Sequence, residues 1–538
     1  MDSGIRALPI RAGPAFIAAE RPAASLSRSM KLPREEELTL RYLIAGALVA
    51  SVATSPALAQ DNTDITVVLS EELDLVEPCM ATRSNIGRVV MQNVSETLTE
   101  LDVRGDEGLM PRLAESWEDM GDGVWRFNLR PDVTFSDGSA FDAEDVKHSF
   151  DRVFSDQITC ESARYFADTE LTFDVVDDLT IDVTSAPAQP ILPLLMTLVT
   201  IVPSETPMEF VREPIGTGPY ALTEWQAGQH ILLERRDDYW GEVPAVTSAR
   251  YVFRSEAAVR AAMVETGEAD IAPQITELEA TNPATDFSYP NSETVYLRID
   301  SADEPTSDIR VRQALNAAID REAFIGTLLA EGTELAVAMV VPTTLGWNGD
   351  LTPPAHDPDL ARQLLAEAEA DGVDVSLPIE IIARTENFPN VTEVAEALTQ
   401  MLTEVGFNAS VRMVEVAEHE QFYSKPYPES EGTRLILAQH DNGRGDPVFS
   451  MYFKYHSDGT QSGIADPHAD ELIDAATAAT GEEREALWSE LFAHVQDEVV
   501  ADVLLFHMVG HSRVSERLDF MPSIATNQQL QLSQIGFN

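Results

Sequence analysis

The feature that most constrains this chain is the interleaving of two hydrophobic periods along almost its whole length. Segments alternating apolar and polar residues, such as "DITVVLS" (64–70), "VWRFNLR", "TIDVTS" and "TVYLRID" (294–300), have the period of strands. Between them run segments with apolar residues at helical spacing, as in "NIGRVVMQNVSETLTEL" (85–101) and "EAAVRAAMVETGEADIAP", a helix with a Gly stop and a short strand. "DAEDVKHSFDRVF" opens on Asp142 with Asp145 three residues on, a carboxylate form of the capping box. The spacing predicts an amphipathic helix pair over 308–332, then helix 358–370, strand "LPIEIIAR", helix 391–405, strands "NASVRMVEV" and "RLILAQ", helices near 469–498 and a strand-rich tail. No repeat and no low-complexity linker separates these. An α/β fold of two lobes, crossed several times by the chain, accounts for this order better than independent domains in series.

One stretch, "EPIGTGPYALTEWQAGQHILLERRDDYWG" (213–241), has no chemical group to explain its rigidity. Gly216 and Gly218 permit backbone angles that other residues avoid, Pro219 fixes the next, and "YALTEW" and "HILLER" read as strands around Ala227-Gly228. The reading is scaffold.

Near the N-terminus, "RYLIAGALVASVATSPALAQ" joins Arg41 to an apolar run too short to span a bilayer and ends on Ala57-Leu58-Ala59. This is the pattern of a secretory signal cut after Ala59, with Met30 a possible start, so residues 1–59 stay outside the fold argument. The residue at the cut is Gln60 rather than a cysteine, which argues against a lipid anchor there, and no other long apolar segment follows. The exported chain is very acidic: 36 Lys and Arg stand against 91 Asp and Glu over the full length. Such a surface repels nucleic acid and anionic membrane and favours solubility. Its two cysteines, Cys79 and Cys160, lack redox or zinc spacing. An oxidising compartment favours a bridge between them, with two buried thiols as the alternative.

Four blocks in order resemble the peptide/nickel family of periplasmic solute-binding proteins, which serve ABC importers. They are "LMPRLAESWEDMGDGVWRFNLRPDVTFSDGSAFDAEDVKHSFDRV" (109–153), "PIGTGPYALTEW…LERRDDYWG" (214–241), "VRAAMVETGEADIA" (259–272) and "IRVRQALNAAIDREAFI" (309–325). The resemblance spans essentially all of the chain after the signal. It implies a two-lobed type II periplasmic binding fold of the large, three-subdomain variety, with a ligand cleft between lobes. Lobe I would comprise 60–108, 204–300 and 510–538, the inserted subdomain 109–203, and lobe II 301–509. The implied partners are a small solute and the permease subunits in the inner membrane, for a monomeric periplasmic protein that needs no cofactor and binds no nucleic acid. Relatives carry dipeptides, oligopeptides, glutathione, opines, sugars, haem or nickel. The resemblance favours a di- or oligopeptide or a related amine/carboxylate compound, with a nickel or metal chelate, opine, sugar or glutathione as the alternative.

The same resemblance points to two loops. "IIARTENFPN" (381–390) is similar to the loop whose arginine binds the peptide carboxylate, which makes Arg384 the carboxylate clamp with Asn387 nearby. "AQHDNGRGDP" (438–447) is similar to the loop whose first aspartate binds the α-ammonium, which makes Asp441 the acceptor, followed by Asn442. A guanidinium fork and a carboxylate suit a zwitterion in a closed cleft. Glu386, Phe388, His440 and the Arg444-Gly445 extension depart from the pattern, and an internal pairing of Arg384 with Glu386 or Asp441 is the competing arrangement. From the first lobe, Arg83, Asn85, Tyr165 and Phe166 occupy places where relatives bring loops to the cleft, with lobe packing the competing role for Phe166. Tyr423 and Trp347 stand behind these.

Catalytic patterns are missing from the sequence. "HEQFY" lacks the second histidine of H-E-x-x-H, and neither G-x-S-x-G nor a P-loop occurs. His507 and His511 would share a face only if helical, and "VLLFHMVGHSRV" reads as strand, so no metal site is assigned. A secreted hydrolase, the alternative from another class, would show turnover of peptides or sugars.

Overall fold

The structure is a computed structural model that describes residues 62–538 apart from 74, 81–84, 104–107, 167–168, 386, 431 and 526–529. The signal segment, Arg83 and Glu386 lie outside the described residues, as do the side chains of Asn85 and Ile86.

Two long antiparallel strands, Asp286–Ile299 and Asp502–Val514, form the axis of the molecule. They pair from Asp286 opposite Arg513 to Arg298 opposite Asp502, with the register broken between Pro290 and Thr294. Beyond one half of this ribbon stand, in order, Ile271–Ala272, Asp64–Leu69, Ser248–Phe253, His230–Arg235 and Tyr220–Gln226. Beyond the other stand Thr433–Asp441, Pro378–Arg384 and Asn408–Val414. One sheet therefore carries two lobes, each wrapped around its own half.

The second lobe buries apolar residues on both faces of its half-sheet. Leu297, Ile381 and Leu435 pack under helices Ile309–Ala318 and Val391–Val405, while Tyr296, Ile382 and Ile436 pack with Trp488 and Phe492. Continuous Val/Ile/Leu runs such as "PIEIIAR" are what a strand covered on both faces requires. The first lobe centres on Val67, Tyr220, Leu233 and Tyr251. The inserted subdomain folds a four-stranded sheet, in the order Ala114–Gly121, Val124–Leu129, Thr180–Ala186 and Glu170–Asp177, against helix Ala143–Val153. That helix starts at the capping box seen in the sequence: the Asp142 carboxylate accepts from the backbone of Glu144 and Asp145, and the Asp145 side chain accepts from the Asp142 N–H.

The rigid turn has a different cause from the one its glycines suggest. Gly216 and Gly218 are absent from the positive-φ residues, whereas Gly228 in the following hairpin is at φ 74°. Gly216 and Gly218 are needed instead for close approach: an added Cβ would stand 2.1 Å from the Val94 carbonyl oxygen and 2.6 Å from that of Asn93, respectively. The Gly218 N–H donates to Val94 O at 2.9 Å, the Tyr220 N–H donates to Asn93 O at 3.0 Å, and buried Arg236 donates to the carbonyls of Gly216, Gly218 and Phe135.

The same contacts shorten a helix. The predicted helical run 85–101 is helical only over Asn85–Met91, because the carbonyls at 93 and 94 are committed to the turn, and the run ends as strand Thr99–Leu101. The Asn93 amide donates to Val89 O and Leu530 O, while its oxygen accepts from the Leu532 N–H at 2.8 Å. The predicted helix pair over 308–332 is likewise one helix, Ile309–Ala318, followed by a single tight turn at Glu322–Phe324. The chain leaves the helix extended at Ile319, and Arg321, buried, binds the carbonyls of Leu504 and Asn316.

Cys79 and Cys160 are joined by a disulfide and are both buried. It ties the segment before helix Asn85–Met91 to the inserted subdomain. Beside it the buried Arg152 guanidinium donates to both Glu77 oxygens, at 3.0 and 3.4 Å, a pair held out of water by the same packing.

Candidate ligand cleft

Arg384 and Asp441 end two neighbouring parallel strands, Pro378–Arg384 and Thr433–Asp441. Carboxyl ends of parallel strands are where open α/β sheets bind ligands. Ala383 lies opposite Leu437, so Asp441 projects about three residues, roughly 10 Å, beyond the level of Arg384. Arg384 is half-buried, and its side chain has neither an ion-pair nor a hydrogen-bond partner among the described residues. The internal Arg384–Asp441 pair weighed from the sequence is not formed.

Asp441 is engaged by another arginine. The Arg88 guanidinium, on helix Asn85–Met91 of the first lobe, donates to Asp441 Oδ2 at 2.6 Å, and the Gly443 N–H donates to Oδ1 at 2.6 Å. This ion pair joins the lobes. Opposite Asp441 on the long strand is Glu293, whose carboxylate accepts from Asn291 and Gln439 at 3.0 Å each. Burial, and then the Asp441 charge, push the Glu293 carboxyl up to about 7.

The loop after Asp441 seats against the first lobe and the inserted subdomain. Arg444 Cζ stands 5.0 Å from the centre of the Tyr165 ring and 5.8 Å from that of Phe449. Tyr165 meets Phe449 and Phe453 edge-on at 5.9 Å each, and Arg164 Cζ lies 4.8 Å from Tyr165 and 5.2 Å from Phe453. Gly445 runs so near Leu101 and Val103 that an added Cβ would come within 3.3 Å of the former. Phe449 is buried among inserted-subdomain residues. A cavity of about 130 Å³ remains beside Arg88, Arg112, Gly443 and Arg444, well below the several hundred Å³ of typical ligand pockets, so these faces are already drawn together. A larger cavity, about 450 Å³, lies within the second lobe among Asn316, Met339, Tyr455 and Asp502.

Several sequence candidates have other work. Phe166 is 3 % exposed and packs on Phe150 and Phe154 in the inserted subdomain, so its role is core rather than cleft. Asn442 is buried and donates to Ser292 O and Met339 O, pinning the loop to the long strand at its register break rather than facing a solute. Tyr423 shares its hydroxyl with Lys454 Nζ at 2.7 Å and Tyr296. Trp347 packs edge-on to His507. Asn387 is half-buried on the Arg384 loop. Asn85 starts the helix that carries Arg88.

Several histidines near the second lobe's strands, His419, His440 and His507, are buried. Burial lowers His507 and His419 to about 4, and burial with the nearby Lys454 charge holds His440 well below its ordinary value. Among the described residues no group of three or more His, Cys, Asp or Glu converges in an arrangement able to hold a metal ion, and no helix is long and apolar enough to cross a membrane.

Sequence reasoning missed Arg88. Its only signal was a basic residue inside an otherwise apolar helical run, which also fits a solvated helix edge. Arg444 stood out only as an insertion in its loop.

Two half-sheets on one ribbon, with charged groups of both lobes meeting at strand ends, define a two-lobed solute-binding protein. The chain belongs to the bacterial extracellular solute-binding proteins, family 5, whose profile matches residues 108–462. It is 29 % identical over 434 residues to the nickel-binding periplasmic protein of Escherichia coli K12, covering 74 % of this chain and 81 % of that one. It is also 29 % identical over 384 residues to the dipeptide-binding protein of the same organism, covering 65 % and 71 %. Among solved structures, the ABC transporter substrate-binding protein CtaP of Listeria monocytogenes superposes with a TM-score of 0.76 at 19 % identity, covering 88 % of this chain and 99 % of that one. A binding protein from Agrobacterium tumefaciens R10 in complex with mannopinic acid gives 0.72 at 23 %, with the same coverage.

Proposed function

We propose that this chain captures a small solute bearing carboxylate and amine groups, with di- and oligopeptides as the leading class, by closing its lobes over it, and delivers it to the permease subunits of an ABC importer. The observation that carries this reading is the Arg88–Asp441 pair: a carboxylate at a strand end of one lobe reaches a cation of the other, so a ligand ammonium can take the place of the guanidinium. Arg384, at the end of the adjacent strand, is the carboxylate partner. A ligand that touches both lobes binds the closed state preferentially and so shifts the equilibrium towards it.

In this reading lobe I comprises 60–108, 204–300 and 510–538, the inserted subdomain 109–203, and lobe II 301–509, with the bend at the register break of the long strands. The protein works as an exported monomer cut after Ala59, and its acidic surface keeps it from nucleic acid. Native mass spectrometry of protein purified without refolding, followed by calorimetry with the solute identified and with dipeptides, tests the reading. A bound amine- or carboxylate-bearing solute supports it. A bound neutral sugar, a metal without chelator, or turnover of peptide overturns it.

A further inference from the structure

The cavity of about 450 Å³ in the second lobe has the size of a small-molecule pocket and lies away from the cleft. Asp502, in its wall, stands opposite Arg298 on the long strand, whereas Asp441, in the cleft, stands opposite Glu293 on that strand. The two levels are five residues of strand apart, roughly 17 Å. Met339 links them: it lines the cavity, and its carbonyl accepts from the Asn442 amide at 3.2 Å.

Backbone irregularity is concentrated in the wall. Helix Gly481–Ala493 widens into a π-turn over His494–Val499, and Val500, buried, then stands at φ 55°. A β-branched residue is strained in that left-handed region, and π-turns are frequent at functional sites. Val495, Gln496 and Val500 of this segment all line the cavity. Gln496 donates through Nε2 to the Thr352 carbonyl at 2.8 Å, which ties segment 352–355, also in the wall, to the turn. Its Oε1 is buried without a hydrogen-bond partner.

The ionisable groups of the wall have one sign. Asp357, Asp497 and Asp502 line the cavity and, among the described residues, no Lys, Arg or His does, while Met339, Phe492 and Leu504 supply apolar surface. Asp357 caps a helix by accepting from the Leu360 N–H, and Asp497 is exposed, so Asp502 is the enclosed acceptor. Its Oδ2 accepts from the Tyr455 hydroxyl at 2.8 Å, and among the described residues no ion pair reaches it. Lys454 and Arg298 act on it from further off: Lys454 Nζ donates to the Tyr296 and Tyr423 hydroxyls, and Arg298 to the carbonyls of Phe422 and Tyr423. Burial outweighs the Tyr455 bond and both cations, and pushes the Asp502 carboxyl up to about 6. An ammonium ion on an apolar body answers both needs: its charge pairs with the carboxylate, and its body covers the apolar wall.

We propose that this cavity is a second binding site, separate from the interlobe cleft, for a small organic ammonium ion with a compact apolar body. The surrounding acidic surface, net −55 over the chain, draws such cations towards it.

The test is calorimetry on the full mature chain with phenethylamine, 2-phenylethanol and 3-phenylpropanoate at about pH 8, where Asp502 is ionised and the amine still protonated. The amine is expected to bind saturably and at least about tenfold more tightly than the neutral alcohol or the anion. Asp502→Asn is expected to weaken the amine at least about tenfold, whereas Asp441→Asn, in the cleft, leaves it within about twofold. The reverse pattern puts the amine in the cleft, which overturns the second site and leaves the solute-binding reading standing. No saturable binding of the amine, or equal affinity for amine and alcohol, overturns the site as well. If Asp502→Asn does not fold, wild-type crystals soaked in 4-bromophenethylamine locate the ion by anomalous scattering. Bromine in the cavity beside Asp502 supports the proposal, and bromine only in the cleft, or at no site, overturns it.

Discussion

Removing Arg88 should open the molecule. The Arg88 and Asp441 side chains are 12 % and 34 % exposed and meet at 2.6 Å. At an effective dielectric constant of about 20, two unit charges at that distance attract by roughly 6 kcal/mol. Desolvation of Arg88 and solvent around the exposed third of Asp441 cancel most of that, which leaves about 2 kcal/mol. If the pair forms only when the lobes meet, Arg88→Met lowers the closed-to-open ratio of the ligand-free protein by about thirtyfold. Small-angle scattering, together with the distance between dyes placed on the two lobes, measures that ratio. Asp441→Asn should give a similar shift, and the double variant little more than either alone, so a double-mutant cycle returns the coupling directly. Unchanged scattering in Arg88→Met, or a coupling below about 0.5 kcal/mol, refutes the idea that this pair holds the lobes together.

Other outcomes follow from the same structure. Glu293 is raised from an ordinary 4.5 to about 7, so the folded chain holds its proton longer than the unfolded chain. Its contribution to stability is intact below pH 4.5 and lost as pH rises through about 7, and Glu293→Gln should flatten that segment of a denaturant-midpoint-against-pH curve. Closing a loop of 81 residues, the Cys79–Cys160 bridge is worth roughly 4 kcal/mol by chain entropy; Cys160→Ser should lower unfolding stability accordingly, and non-reduced, denatured wild type should carry no alkylatable thiol. Gly216→Ala drives a methyl into the Val94 carbonyl and should cost about 1–3 kcal/mol in chemical denaturation, whereas Gly228→Ala, where nothing stands within 4 Å, should show only the smaller cost of its positive φ.

Most strands and helices of the second lobe were readable because a strand covered on both faces shows a short apolar run and a one-sided helix a clean helical period. "LPIEIIAR" and the run 391–405 needed only their local pattern to be placed. The misreadings came where distant groups overrode local preference. The helix from Asn85 stops early because carbonyls at 93 and 94 serve a turn more than a hundred residues away, and nothing near 93 announces that. Family resemblance led to the Asp441 loop, but its partner could not be read, since pairing Arg88 with Asp441 joins positions 353 apart in sequence. Phe166 and Tyr165 are adjacent aromatics of equal promise in sequence; only the packing sends one into the core and leaves the other under two guanidiniums.

The contacts of Asn93 also bear on the order in which the protein can be made. Its side chain is satisfied by backbone at Leu530 and Leu532, and the sheet of the first lobe is linked through Ile271 to Val514. A chain that emerges amino end first therefore presents one half of this lobe long before the other half exists. The second lobe has most of its strands and helices between 300 and 500, but its core also includes Val503 and Leu505, and the first lobe waits a little longer still. Deleting the last ten or so residues should act less like trimming a tail than like removing a keystone: the first segment to appear would be the one left without partners, and the earliest-made lobe the last to become protease-resistant during refolding.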